Sequence, residues 1–421
     1  MRMGGAQRWA EEVEQRGYRE VQGEICLGHV TDTSFLRDLM DDASPGDCVL
    51  CGTSDDQPTM VSAETLVASF MDSFRYFYRT SDSLPWDNED GVYIGPQIDT
   101  GDAVYDLASE AFEVSVIDDA LQLISDAIGY EHEWTTWGAP ADPDGVDYEW
   151  SRFVETVKYT SRFVFIVGGR NSGLVAQFLR KVGKYLDEEN GLISTLPVDT
   201  PLHRGRLCEK PREVSRSAAG LGPAPRDQAS ANRMSPPGIS MFYGSDDAET
   251  AVAEIAGHGV SPLAVVGEFR TTRVLRVLDL TARPNKPSPL NRERRVEFEM
   301  LSFLESFVEA ITAPVIPDGR QHVEYVPTQV VTEYLRNSSP EMLDGIVLPS
   351  TQTGRRTYVL FFDSDGVTDA GNESAPHTLR DELLGFGASQ PALTLDPSRI
   401  TTYRVIRTYG IKPAGRFADF A

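Results

Sequence analysis

Two hydrophobic rhythms divide the chain. In the first half, apolar positions recur at helical spacing: Leu66, Val67, Phe70, Phe74, Phe77 and Tyr78 form one stripe between Ser62 and Thr80. Helical patterns resume at 103–129, 148–166 and 173–188, and a short amphipathic helix is expected at 5–16, around Trp9 and Val13. The acidic stretch 81–101, broken by Gly and Pro, reads as a loop, and HEWTTWGAPADPDG as an irregular connection. After NGLISTLPVDTPL, a Gly/Pro linker at 190–202, the period shortens. Strands are expected at 202–208, 239–243, 262–269, 274–278, 323–326, 345–348, 357–362 and 402–408, with helices at 246–256, 293–311 and 328–337. Segment 209–238 is rich in Pro, Ala, Gly and Arg and has no period. It reads as a long loop, and loops of that length tend to cover sites. The expected class is α+β, with an all-α front half and a mixed second half.

Composition narrows the classes. With 421 residues, 40% hydrophobic and 9% aromatic, the chain can bury real cores in two or three domains. It has no apolar run of about 18 residues and no apolar signal core near Met1, so the expected setting is cytoplasmic, with no membrane. Four cysteines in so long a chain do not make a disulfide scaffold. The formal charge of -25 lies entirely in residues 1–150, which hold 7 Lys plus Arg against 32 Asp plus Glu. Such a surface repels nucleic-acid phosphates, so no nucleic acid is expected as a partner. It either solubilises the protein or docks a basic protein partner.

Three of the four cysteines fall in EICLGHVTDTSFLRDLMDDASPGDCVLCG. Cys26 and His29, then Cys48 and Cys51, make a C-x2-H…C-x2-C pattern. An x2 spacing lets one tight turn aim two ligands at one ion, and zinc takes four N or S ligands in a tetrahedron. Four protein ligands would leave no open position, so the role would be structural. The alternative is a set of small buried side chains beside a surface histidine. Cys208 is left over as a free thiol.

Candidate chemistry in the second half gathers around RMSPPGISMFYGSDDAETAVAE. Arg233 enters a Pro-Pro-Gly turn, a short apolar strand ends at Tyr243, and Asp246 or Asp247 offers an N-cap to a helix carrying Glu254. An ordinary β-turn-α unit would look the same. Upstream, LHRGRLCE puts Arg204 and Arg206 on one face of a strand; downstream, DGIVLPSTQTGRRTYVLFF places Ser350 where a strand ends in a polar turn.

This order of Arg, Arg, Tyr, Glu and Ser resembles the RES domain family over about residues 200–410, including VEYVPTQVVTEYL and the LTLDPSRI close. The front half resembles the HEPN-like, cysteine-bearing domain that precedes RES domains in some bacterial proteins. With the Cys/His spacing, the resemblance divides the chain into three expected segments: a zinc knuckle at 1–60, a helical HEPN-like domain at 61–195 and a RES domain at 200–421. It implies a fold like that of ADP-ribosyltransferase toxins and an enzyme that consumes NAD+, as phosphorylase or glycohydrolase, often as the toxin of a toxin–antitoxin pair. The family's first Arg falls on Arg204, with Arg206 beside it, its second on Arg233, its Tyr on Tyr243, its Glu on Glu254 and its Ser on Ser350. His203 stands where an aromatic is usual, and Asn232 where Gly is common. In these roles the guanidinium forks would bind the NAD+ pyrophosphate, and Glu254 would stabilise an oxocarbenium-like ribose. Tyr243 would stack on nicotinamide or bond its ribose. Ser350 would hold a phosphate, or the attacking inorganic phosphate or water. The same residues would also suit a mono-ADP-ribosyltransferase acting on a protein, or a non-catalytic nucleotide-sensing module. Neither His29 nor His132 has an arginine four to six residues before it, so no nuclease of the HEPN type is expected.

Overall fold

The computed structural model describes residues 13–136, 146–163, 172–186, 191–312, 320–372 and 390–407, save 14, 85, 88–90, 94, 96, 258 and 283–284. The expected helix at 5–16 lies largely outside these residues, as does 137–145 of the expected connection. The chain forms two compact units, neither of them a single stretch. One comprises 1–156, 164–178 and 285–305, and the other 157–163, 179–284 and 306–421.

In the first unit, β1 (Glu24–Cys26) leads to α1 (Thr33–Met40), β2 (Ser44–Asp47), β3 (Ser54–Ser62) and α2 (Ala63–Phe77). Then come β4 (Tyr78–Thr80), β5 (Trp86–Asp87), β6 (Val92–Tyr93), α3 (Thr100–Ala108), α4 (Ile117–Ile128), β7 (Trp134–Thr136) and α5 (Val146–Glu155). The front half is therefore not all-α: β1, β3 and β2 form a three-stranded sheet, and β4–β7 and β5–β6 form two-stranded ones. All of these strands but β3 have four residues or fewer, and β2 (SPGD) carries no alternating apolar signal. The expected aromatic stripe is present. Ser62 caps α2 by accepting from the Thr65 amide, and Leu66, Val67, Phe70 and Phe74 are buried. Phe74 meets Trp134 edge-on, with ring centroids 4.8 Å apart. The segment 285–305 packs with this unit through Arg292–Asp72 and Arg295–Asp72 ion pairs and a Phe77–Phe298 ring contact. Such pairings, more than 200 residues apart in sequence, leave no local pattern.

The second unit is built on a nine-stranded sheet. Its parts follow α6 (Ser172–Tyr185) and are β8 (Ile193–Leu196), β9 (Pro201–Cys208), α7 (Ala218–Leu221), β10 (Phe242–Ser245), α8 (Ala248–Ala256), β11 (Leu263–Thr271) and β12 (Leu275–Asp279). After α9 (Arg295–Thr312) come α10 (Gln321–Glu324), α11 (Val326–Asn337), β13 (Gly345–Pro349), β14 (Arg356–Leu360), β15 (Val367–Asp369) and β16 (Leu393–Arg404). The strand order is β15-β16-β11-β9-β10-β14-β13-β12-β8. All neighbours are antiparallel except β12–β13 and β15–β16. β9 and β11 pair along eight residues, whereas β9 and β10 meet only at His203 and Ser245, so the sheet is nearly split there.

Two expectations are corrected. Residues 323–326 are helical, because Pro327 sits at the start of α11, where its missing N–H is one that would go unbonded anyway. The loop 209–238 contains helical turns at 211–213, 218–221 and 226–228.

Candidate functional site

Asp247, one of the two expected caps, starts α8: its carboxylate accepts the Thr250 amide at 2.8 Å. Burial pushes that carboxyl up, but the Arg355 guanidinium at 2.9 Å and the Thr250 bonds hold it below the usual carboxylate range. The helix approaches β9 closely because position 205 is glycine; a Cβ there would stand 2.9 Å from Ile255 Cδ1. Ala251 and the half-buried Val252 and Ile255 pack with Leu207, Ala264 and Val266 on that side of the sheet.

Glu254 lies half-buried on α8 and accepts a short hydrogen bond from the Ser350 hydroxyl, 96 residues away in sequence. Ser350, only 4% exposed, follows β13. Its Oγ also accepts the amides of Gln352 and Thr353, each at 3.2 Å. A hydroxyl has one proton and two lone pairs, and all three are in use. The turn is closed by Ser350 N–H to Arg355 O at 2.6 Å and Gly354 N–H to Ser350 O at 2.8 Å, with Gly354 at φ 73°. Thr353 reaches back to Thr250 of α8 at 3.1 Å.

Since paired residues share a face, His203, Ser245 and therefore Tyr243 point to the α8 side of the sheet. The Tyr243 hydroxyl bonds Ser235 Oγ at 3.0 Å. Burial pushes the phenol up to about 12. Arg233 is two residues from Ser235; its guanidinium donates to the Ile311 carbonyl and lies 5.9 Å from the Tyr325 ring centre.

Alternation puts Arg204 and Arg206 on the other face of β9, with the buried Leu202 and Cys208 of the main core. Arg204 crosses the near-split in the sheet. It donates to Tyr243 O at 2.7 Å and to Leu221 O at 2.9 Å, over the Phe242 ring. Arg206 donates to Gly222 O at 3.0 Å, and its Nε is buried without a partner. Burial, and then the neighbouring Arg206 charge, pull Arg204 down to about 10; burial lowers Arg206 as well. Among the described residues neither guanidinium meets a carboxylate. Thus Glu254 meets Ser350 and Tyr243 meets Ser235, while Arg204, on the other face of β9, reaches the main chain of Tyr243. Ser235 had no signal beyond its place between Arg233 and Tyr243.

In the first unit, Cys26, His29, Cys48 and Cys51 bring their ligand atoms within 4.8 Å of one another, a group that could hold a metal ion. Cys26 and Cys51 sulfurs are 3.8 Å apart. Two thiolates at about 2.3 Å from a tetrahedral zinc would be about 3.8 Å apart. The Cys26 amide points at Cys48 Sγ, 3.4 Å away. His29 Nδ1 is 3.2 Å from a Glu113 carboxylate oxygen, while Nε2 is buried with no partner. The residues therefore fit a metal, with Nε2 as the ligand atom and Glu113 setting the ring. Burial, with Cys48 and Cys51 as hydrogen-bond partners, pushes Cys26 up to about 12; bonds from Thr53 pull Cys51 down to about 6.

Residues 206–379 match the RES domain, and residues 41–171 match HEPN/RES N-terminal domain 1. The chain carries a RES domain preceded by a HEPN/RES N-terminal domain. Its RES match spans Arg206, Arg233, Tyr243, Glu254 and Ser350, and begins two residues after Arg204. No curated protein and no solved structure matches the chain. The RES domain points to NAD-related, toxin-associated chemistry. Among the described residues no helix is long and apolar enough to cross a membrane.

Proposed function

We propose that this RES-domain protein degrades NAD+ by cleaving the bond between nicotinamide and ribose, with inorganic phosphate or water as acceptor, as a toxin or defence effector. The observation that carries this reading is the Ser350–Glu254 hydrogen bond, which fixes one carboxylate oxygen. As the C1′–N bond breaks, its electron pair leaves with neutral nicotinamide. The ribose gains positive charge, which an ionised, oriented Glu254 offsets in a partly buried setting. A phosphate oxygen or a water then forms the new bond to C1′, and an attacking water releases its proton to solvent. Tyr243, on the same side of the sheet, supplies a ring and a hydroxyl for the nicotinamide riboside. Arg233, two residues from Ser235, supplies a cation for the pyrophosphate, whereas Arg204 and Arg206, on the opposite face of β9, hold main-chain carbonyls. The near-split between β9 and β10 supports reading the sheet as an ADP-ribosyltransferase-like scaffold. Nicotinamide release from NAD+, followed with and without phosphate, tests the proposal; no release by the wild-type protein would overturn it.

We assign zinc to the Cys3His group, as a structural ion that joins the loops of β1 and β2. Metal analysis of the purified protein should give one equivalent. A metal-free preparation with unchanged thermal stability would contradict the role.

A further inference from the structure

The turn that carries Arg233 is gripped by a single helix. Asn232 and Ser235 exchange backbone hydrogen bonds, with Asn232 N–H to Ser235 O at 2.8 Å and Ser235 N–H to Asn232 O at 3.3 Å, leaving Arg233 and Met234 at the tip. Three side chains of α11 then hold all four residues. Thr328 Oγ1 donates to Arg233 O at 2.6 Å. Gln329 Nε2 donates to Asn232 O at 2.7 Å and to Ser235 O at 3.3 Å. Thr332 Oγ1 lies 3.6 Å from Met234 Sδ. Ser235, 1% exposed, passes the constraint on through its bond to the Tyr243 hydroxyl.

Exposed carbonyls on an irregular segment can be satisfied by water. Here a primary amide is committed to two of them. Among uncharged side chains only Asn and Gln offer two donors on one nitrogen, and glutamate, of the same shape, offers none when ionised.

We propose that Gln329 is a positioning residue: it fixes the Arg233 turn and, through Ser235, the Tyr243 phenol, so that α11 sets how the site receives its substrate. The inference rests on the NAD+ reading for its kinetic consequence but not for its structural one. Two readouts therefore test it on the full chain, with Q329E, Q329A and, as a variant that leaves the turn's backbone bonds intact, S235A.

First, amide exchange in ligand-free protein should show the Ser235 amide exchanging at least about tenfold faster in Q329E and Q329A, with the β13 and β14 amides unchanged. Second, KM for NAD+ should rise about tenfold in Q329E, Q329A and S235A while kcat stays within about twofold. A variant that merely lost folded molecules would show a lower kcat at unchanged KM. Unchanged Ser235 exchange overturns the inference, as does faster exchange with unaltered KM. If wild type releases no nicotinamide yet Q329E frees the Ser235 amide, the NAD+ reading fails while the clamp on the turn stands.

Discussion

Replacing Ser350 by alanine separates two roles for that hydroxyl. Its proton goes to Glu254 and its lone pairs to the Gln352 and Thr353 amides, so no donor is left for an incoming phosphate. The structure thus favours orientation of the carboxylate over acceptor binding. A hydrogen bond to a charged group contributes about 1.5–3 kcal/mol, so S350A should lower kcat about 10- to 150-fold. The fold should survive, because the turn keeps the Ser350–Arg355 and Gly354–Ser350 backbone bonds. The assay is nicotinamide release in phosphate buffer and in phosphate-free buffer, with circular dichroism as a control for folding. An orienting role predicts the same fractional loss in both buffers. A loss confined to phosphate buffer, with a raised KM for phosphate, would refute it, and so would an unchanged kcat.

Further outcomes follow from other contacts. E113Q should weaken metal binding about 10- to 100-fold in a chelator competition, because Glu113 orients His29; equal affinity would remove Glu113 from that role. R233M should weaken binding of ADP, as a pyrophosphate probe, about tenfold in isothermal titration at low salt. Unchanged affinity would mean that Arg233 does not hold an anion. D247A should cost about 1 kcal/mol at neutral pH by uncapping α8. The folded carboxyl is held below its ordinary value of 3.8, so its contribution is full above that pH and fades as the solution is acidified through the lower folded value. Urea melts of D247A and wild type should therefore converge in acid, and a gap that persisted there would contradict the ionic part of the cap.

Elements with a strong local signal were readable in advance. The Leu66–Phe74 stripe, the Asp247 cap and the x2 spacings of the Cys3His group each rest on residues close together in sequence. What could not be read came from distant pairing. β2 and β3 carry polar, Pro-containing sequences and become strands only by pairing with each other and with β1. VEYV alternates like a strand, yet Val326 opens a helix with Pro327 in its first turn. The candidate site shows the same division. Arg204 and Arg206 sharing a face is a property of one strand, but which face α8 covers depends on Gly205, Leu207 and Val266, on two different strands. Likewise nothing local ties Ser235 to Tyr243, or Glu113 to His29.

The most direct measurement is the product of NAD+ incubated with the purified protein, wild type beside E254Q, which keeps the side chain's shape and removes its charge. The account predicts free nicotinamide from wild type, together with ADP-ribose or its phosphate ester, and at least a hundredfold slower release (about 2.7 kcal/mol) from E254Q. Equal release by the two proteins, or none by wild type, would contradict it.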